Sequence, residues 1–183
     1  IKCPVLLLGR GFLSRMLWQV FSLGRAASMS ECSVLFVPGG SFNTGFRPII
    51  TMHQNLLPFK MGEALRYGWS LITLKWLILR FTQSRSFRRA NGVIFLSKHA
   101  ANHVHGVVKL PNSVKTCIIS HGLNRRFLDR EASSANLREI NKNSLVKLLY
   151  VSKIDQYKHQ WKIVEGVATA RERSNVNFQL RLV

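Results

Sequence analysis

The stretch from Val146 to Trp161, VKLLYVSKIDQYKHQW, decides how this chain is read. Leu148, Leu149, Tyr150 and Val151 form a short uninterrupted apolar run, as in a strand covered on both faces by helices. The run stops at Ser152, and Lys153 and Lys158 follow. Trp161, Val164, Val167 and Ala168 then recur at helical spacing, so the segment predicts strand, loop, helix. Ligands of parallel α/β sheets gather outside the carboxyl ends of the strands, where a phosphate also meets a helix N-terminus. The two lysines therefore lie where an anion would bind. Taken alone, they read equally well as solvated surface cations.

Working outward, the alternation of strand and helix repeats upstream. The segment 12–28 places Leu13, Met16, Leu17, Val20 and Ala27 on one helical face, and 33–37 reads as a short strand ending at Pro38, Gly39 and Gly40. PIITMH (48–53) is a second strand, closed by a loop in which Pro58 cannot continue a ladder. A long helical region runs to about Arg89, and GVIFLS (92–97) is a third strand. A short helix over 98–107 carries His99, His103 and His105, and TCIIS (116–120) is a fourth strand, closed by His121 and Gly122. This order predicts an α/β fold with a mostly parallel sheet and helices on both faces. The stretch 129–144 is polar and lacks an apolar period, as a linker does. The expected organisation is a first domain over 1–128, a linker over 129–145, and the start of a second domain over 146–183. Ile1 is no initiator Met and the terminal QLRLV resembles a strand cut short, so a fragment of a longer protein is expected.

The chain has 183 residues and a formal net charge of +19, which calls for an anionic partner, surface or substrate. The excess is uneven: 64–128 holds eleven Lys and Arg and no acid, while 129–183 holds ten cations against six acids. No zinc-finger spacing, RNP-type aromatic run or basic heptad helix occurs, so nucleic acid is the disfavoured partner. An anionic cytoplasmic membrane face is the favoured one. The most apolar stretch, WSLITLKWLILRF (69–81), is well short of the roughly 20 residues a spanning helix needs. It reads either as a core helix with a basic outer face or as an interfacial helix whose Trp69, Trp76 and Phe81 meet lipid. Cys3, Cys32 and Cys117 are odd in number and far apart, which fits a reducing, cytoplasmic setting.

His53, at the end of a predicted strand, is followed by Gln54 and Asn55, a polar trio suited to a hydroxylated ligand or, equally, to satisfying loop backbone. His99 and His103 have the i, i+4 spacing of metal ligands, yet the acid of H-E-x-x-H and a third ligand are missing, so no metal site is expected. No G-x-S-x-G elbow, phosphate-binding P-loop or G-x-G-x-x-G turn is present. Pro38–Ser41 is a tight turn after a strand, able to meet a ligand through its backbone but more simply a plain loop.

Four blocks in order, ITMHQNLLPF (50–59), RRANGVIFLSKHA (88–100), IISHGLNRRF (118–127) and LLYVSKIDQYKHQW (148–161), resemble glycosyltransferase family 4, the group 1 glycosyltransferases. The resemblance covers most of the chain. It implies a GT-B fold of two Rossmann-like domains, the first incomplete at its N-terminus and the second truncated. The first would bind the acceptor and the second a nucleotide-sugar donor, with no bound cofactor or metal. Lys153 and Lys158, beside Ser152, would hold the donor diphosphate. His53, with Gln54 and Asn55, would contact the transferred sugar or the acceptor. In the family the last block carries Gly-Arg where this chain has Ser152 and Lys153, and Lys-Gly where it has Lys158 and His159. The implied activity is a hexosyltransferase-type transfer, with retention of configuration, to a glycan or lipid-linked acceptor in envelope polysaccharide or lipopolysaccharide assembly. The implied setting is peripheral, at the inner face of the membrane, and these 183 residues alone would be inactive. A basic nucleic-acid-binding module and a non-catalytic member of the same fold are the alternatives.

Overall fold

The computed structural model describes residues 12–125, 145–174 and 176–183, and the chain divides into two compact units, Ile1–Gly122 and Leu123–Val183. The first unit contains helices α1 (Phe12–Phe21) and α2 (Leu23–Met29), then strands β1 (Leu35–Val37) and β2 (Ile49–His53). A 3-10 turn (Leu57–Phe59) and helices α3 (Met61–Leu65) and α4 (Leu71–Arg89) follow. Strand β3 (Gly92–Phe95), helix α5 (Lys98–Val107) and strand β4 (Lys115–Ile118) complete it. The four strands form one all-parallel sheet in the order β1-β2-β3-β4. The sequence therefore predicts each of these strands to within one or two residues. The expected linker falls almost wholly outside the described residues.

The register puts the carboxyl ends side by side, with His53 opposite Phe95 and Phe95 opposite Ile118. Asn91 pins the other edge. Its Oδ1 accepts from the Ile49 N–H at 2.9 Å, its N–H donates to Ile49 O at 2.8 Å, and its carbonyl accepts from Lys115 N–H at 3.0 Å. One residue, through its side chain and its backbone, thus aligns the starts of three strands, satisfying backbone groups that burial would otherwise leave unpaired.

Burial is one-sided. Ile49, Thr51 and His53 on β2 and Val93 and Phe95 on β3 are buried, whereas Ile50, Met52 and Ile94 are half-buried and every residue of β4 is exposed. Helices on both faces were expected; among the described residues only the first of these faces is closed over. The core gathers Ile49, Phe59, Phe87, Val93, Phe95 and Val104. Phe87, from the last turn of α4, stacks on Phe59 at 5.9 Å and meets Phe95 edge-on at 6.5 Å. Of the helical face expected over 12–28, Leu17 and Val20 are exposed and Ala27 is buried, because the helix breaks at Ser22 into α1 and α2. At Gly24 of α2 a Cβ would come within 2.5 Å of Thr44 Oγ1, so only glycine allows the approach of that loop.

The long helical region is likewise divided. Gly68 takes φ +63°, a conformation L side chains disfavour, and ends the turn after α3. Ser70 then caps α4 by accepting from Thr73 N–H at 3.3 Å. The second unit is a β-α-β unit: β5 (Leu145–Tyr150), α6 (Gln160–Ser174) and β6 (Asn177–Leu182), with β5 and β6 parallel. No helix among the described residues is long and apolar enough to cross a membrane.

Phe87→Ala should destabilise the first unit by about 3–5 kcal/mol, since it empties the centre of the aromatic cluster. Urea unfolding followed by circular dichroism checks this, and an exposed-residue control such as Leu71→Ala should change stability by less than about 1 kcal/mol.

Candidate functional site

Parallel sheets offer ligands their carboxyl edge, so the first place to look is the end of β1 and β2. After β1, Gly40 sits at φ +75°, and a Cβ there would press on the Gln83 amide at 3.2 Å. The turn is tied to α4 residue by residue. The Ser86 hydroxyl accepts from Phe42 N–H at 3.0 Å and donates to Phe42 O at 3.2 Å, and Ser41 and Thr82 hydroxyls meet at 3.5 Å. Pro38–Ser41 is thus held in place by the helix that also carries Phe87.

His53 ends β2 on the buried face. Its ring is 3 % exposed and packs against Phe59, Phe95 and Phe87 with centroids 5.5, 5.7 and 5.9 Å away. Its Nε2 and the Oε1 of Gln83 are buried polar atoms with no hydrogen-bond partner. Burial lowers the His53 pKa from 6.5 to about 4; a backbone contact with Asn55 opposes the shift and charge on His103 adds to it. His103 itself reaches Phe59 O at 3.3 Å. His53 is therefore a neutral core residue, whereas the resemblance implied a side chain lining a cleft. Asn55 takes up loop backbone, its Oδ1 accepting from Leu57 N–H at 3.0 Å to start the 3-10 turn. Gln54 and Asn55 are both exposed, and the Gln54 amide donates to a weak acceptor, Met52 Sδ, at 3.5 Å.

In the second unit the β5 ladder continues past Tyr150: Ser152 N–H donates to Val183 O at 2.9 Å and Val183 N–H to Tyr150 O at 3.0 Å. Lys153 is thus the first residue beyond the sheet. The loop that follows closes with a 3-10 turn (Gln156–Lys158) and then His159, whose φ of +53° is left-handed, before α6 begins at Gln160. Lys153 and Lys158 are both exposed, and Lys158 Nζ lies 5.0 Å over the Tyr157 ring. The loop also holds one acid, Asp155, whose carbonyl accepts from Lys158 N–H at 3.0 Å. Two ammonium groups thus flank the short path from a strand end to a helix N-terminus, an arrangement able to hold an anion by charge and by helix N–H groups.

Sequence reasoning missed Gln160. Its buried amide donates to Lys153 O at 2.9 Å and holds the start of the loop against the start of the helix. The available signal was an amide in the first helical turn after a strand and loop, a common place for side-chain-to-backbone bonds. Among the described residues no three His, Cys, Asp or Glu side chains stand close enough to share a metal ion, and Cys32 and Cys117 are free thiols.

Two outcomes are expected. Because the folded His53 refuses a proton that the unfolded chain accepts, its contribution to stability is complete above pH 6.5 and is lost as pH falls towards about 4. The loss should be roughly 3 kcal/mol, read from denaturant midpoints across that window, and His53→Phe should flatten the slope. His159→Gly should raise stability by about 1 kcal/mol and His159→Val lower it, as thermal unfolding can measure, because a β-branched residue fits the left-handed region worst. No family model, curated protein or solved structure matches this chain.

Proposed function

We propose that the chain belongs to a retaining GT-B glycosyltransferase that moves a hexose from a nucleotide-sugar to a glycan or lipid-linked acceptor at the cytoplasmic face of a membrane. The observation that carries this reading is the loop between β5 and α6. There Lys153 and Lys158 flank the carboxyl end of a parallel strand and the N-terminus of a 15-residue helix. A sugar diphosphate is an anion that gains charge on its leaving oxygen as the C1–O bond breaks, and two fixed cations favour that state over the intact donor. The acceptor hydroxyl oxygen forms the new bond to C1 and gives its proton to the departing diphosphate oxygen, which keeps the electron pair of the broken bond. No nucleophile of the protein is required.

Further support comes from His159. The resemblance puts a glycine at this position, and the backbone here adopts the left-handed conformation that glycine takes at least cost. The all-parallel sheet of the first unit, with its β1 turn held by α4, is compatible with the acceptor-side Rossmann-like half of such an enzyme. In this reading Gln54 is the acceptor-side contact, and His53 supports the strand end from within the core. Ser152 closes the strand: its N–H donates to Val183 O at 2.9 Å and its hydroxyl donates to Lys153 O at 3.2 Å.

The test uses the full-length protein. Lys158→Ala should lower sugar transfer by about a hundredfold or more, with Lys153→Ala in the same range, and both should leave the fold intact by circular dichroism. Nucleotide-sugar binding by calorimetry should weaken in parallel. Unchanged turnover in both variants would reject the diphosphate role.

A further inference from the structure

Helix α4 is turned inside out relative to its own sequence. Leu71, Leu74, Ile78, Phe81, Arg85 and Arg88 follow one another at intervals of three and four residues, which places them in a single stripe along the helix. An apolar stripe of this kind ordinarily faces a core. Here all six are exposed, Leu71 by 85 % and Phe81 by 69 %, while the buried side is made of Thr73, Gln83, Ser86 and Phe87. The fully exposed Trp69 precedes the stripe.

Two grooves run along this face and share Leu77. The first, of about 600 Å³, is lined by Leu65, Trp69, Leu71, Leu74 and Leu77. The second, of about 360 Å³, is lined by Leu77, Arg80, Phe81, Ser84 and Arg88, with Val107 of α5. Along the helix the surface passes from mostly apolar, with Ser70 and Thr73 in its lining, to apolar with guanidinium groups. Lys75, on the same exposed half, holds its ammonium 5.6 Å from the Trp76 ring. Residues 64–128 contain eleven cations and no acid.

We propose that the exposed face of α4 docks on an anionic lipid bilayer, with Trp69, Leu71, Leu74, Ile78 and Phe81 entering the headgroup boundary and Arg85 and Arg88 meeting lipid phosphates. Charge decides between occupants. A second copy of this chain would bring the same acid-free basic surface against its own and be repelled, whereas a phosphate-bearing membrane supplies the missing negative charge. Geometry agrees: a 19-residue helix is about 28 Å long, and with its inner side packed on the 3-10 turn and on the turn after β1 it lies along a surface and does not cross one. The inference deepens the acceptor side of the glycosyl-transfer reading, yet it rests on α4 alone.

The experiment is co-sedimentation of the full chain with phosphatidylcholine vesicles and with mixed phosphatidylcholine/phosphatidylglycerol vesicles, without any sugar nucleotide. Binding is expected to the mixed vesicles only, with a blue shift of tryptophan emission that Trp69→Phe removes in large part. The double variant Leu71→Ser, Phe81→Ser should cut partitioning by roughly tenfold or more, and Arg85→Glu with Arg88→Glu should abolish the preference for anionic lipid. All five positions are exposed, so the variants should keep the wild-type circular dichroism. Failure to bind mixed vesicles would overturn the proposal, as would undiminished binding by the serine variant, which would mean attraction by charge without insertion. A dimer in sedimentation velocity that the serine variant converts to monomer would assign the face to a second copy instead. Since no donor is present, vesicle binding with unchanged turnover in Lys158→Ala would leave this inference standing while removing the diphosphate role.

Discussion

The seating of Phe87 among Phe59, Phe95 and His53 fixes the rotation of α4 about its own axis, and with it much of the first unit. A helix is a stiff rod, so a side chain locked into the sheet at the last turn determines which side every earlier turn presents. On that inner side the Ser86 hydroxyl answers the backbone of Phe42, the Thr82 hydroxyl meets that of Ser41, and the Gln83 amide lies against Gly40. The polar inner side is thus explained by what it covers: a loop with unpaired N–H and C=O groups, which an apolar side chain would leave unsatisfied. The apolar outer stripe follows from the same rotation.

The second unit is organised differently. Its loop from Ser152 to His159 starts at the ladder bond to Val183 and is otherwise shaped by contacts close in sequence: the 3-10 turn, the left-handed residue and the bond from Gln160 back to Lys153. These constraints, all within the second unit, shape the backbone that carries the two lysines. A non-glycine residue is tolerated in the left-handed conformation at His159, since the strain is confined to one residue whose ring packs on Trp161 at 4.9 Å.

The sequence shows its strands well because most are short apolar runs with Gly, Pro, Asn or Ser close to an end, and those breakers act locally. Pro38 and Gly39 after β1, Asn91 before β3 and Ser152 after β5 mark true ends. The helices were less legible. The breaks at Ser22 and Gly68 depend on a neighbouring loop at Thr44 and on the cap at Ser70, and helical periodicity runs through both positions. His53 had two faces available on β2; register against β3, set by Asn91, puts it inward beside Phe95.

The amino-acid sequence by itself determined the order of elements, the parallel α/β class of each unit, the basic character of the first and the placement of Lys153 and Lys158 between a strand and a helix. These follow from period, breakers and charge, which are properties of neighbours along the chain. Only the tertiary structure decided that His53 is enclosed and neutral, that Gln160 anchors the lysine loop, and that the apolar stripe of α4 faces outward. Each depends on which residues distant in sequence come to lie against one another, and periodicity names a stripe without saying what it will meet.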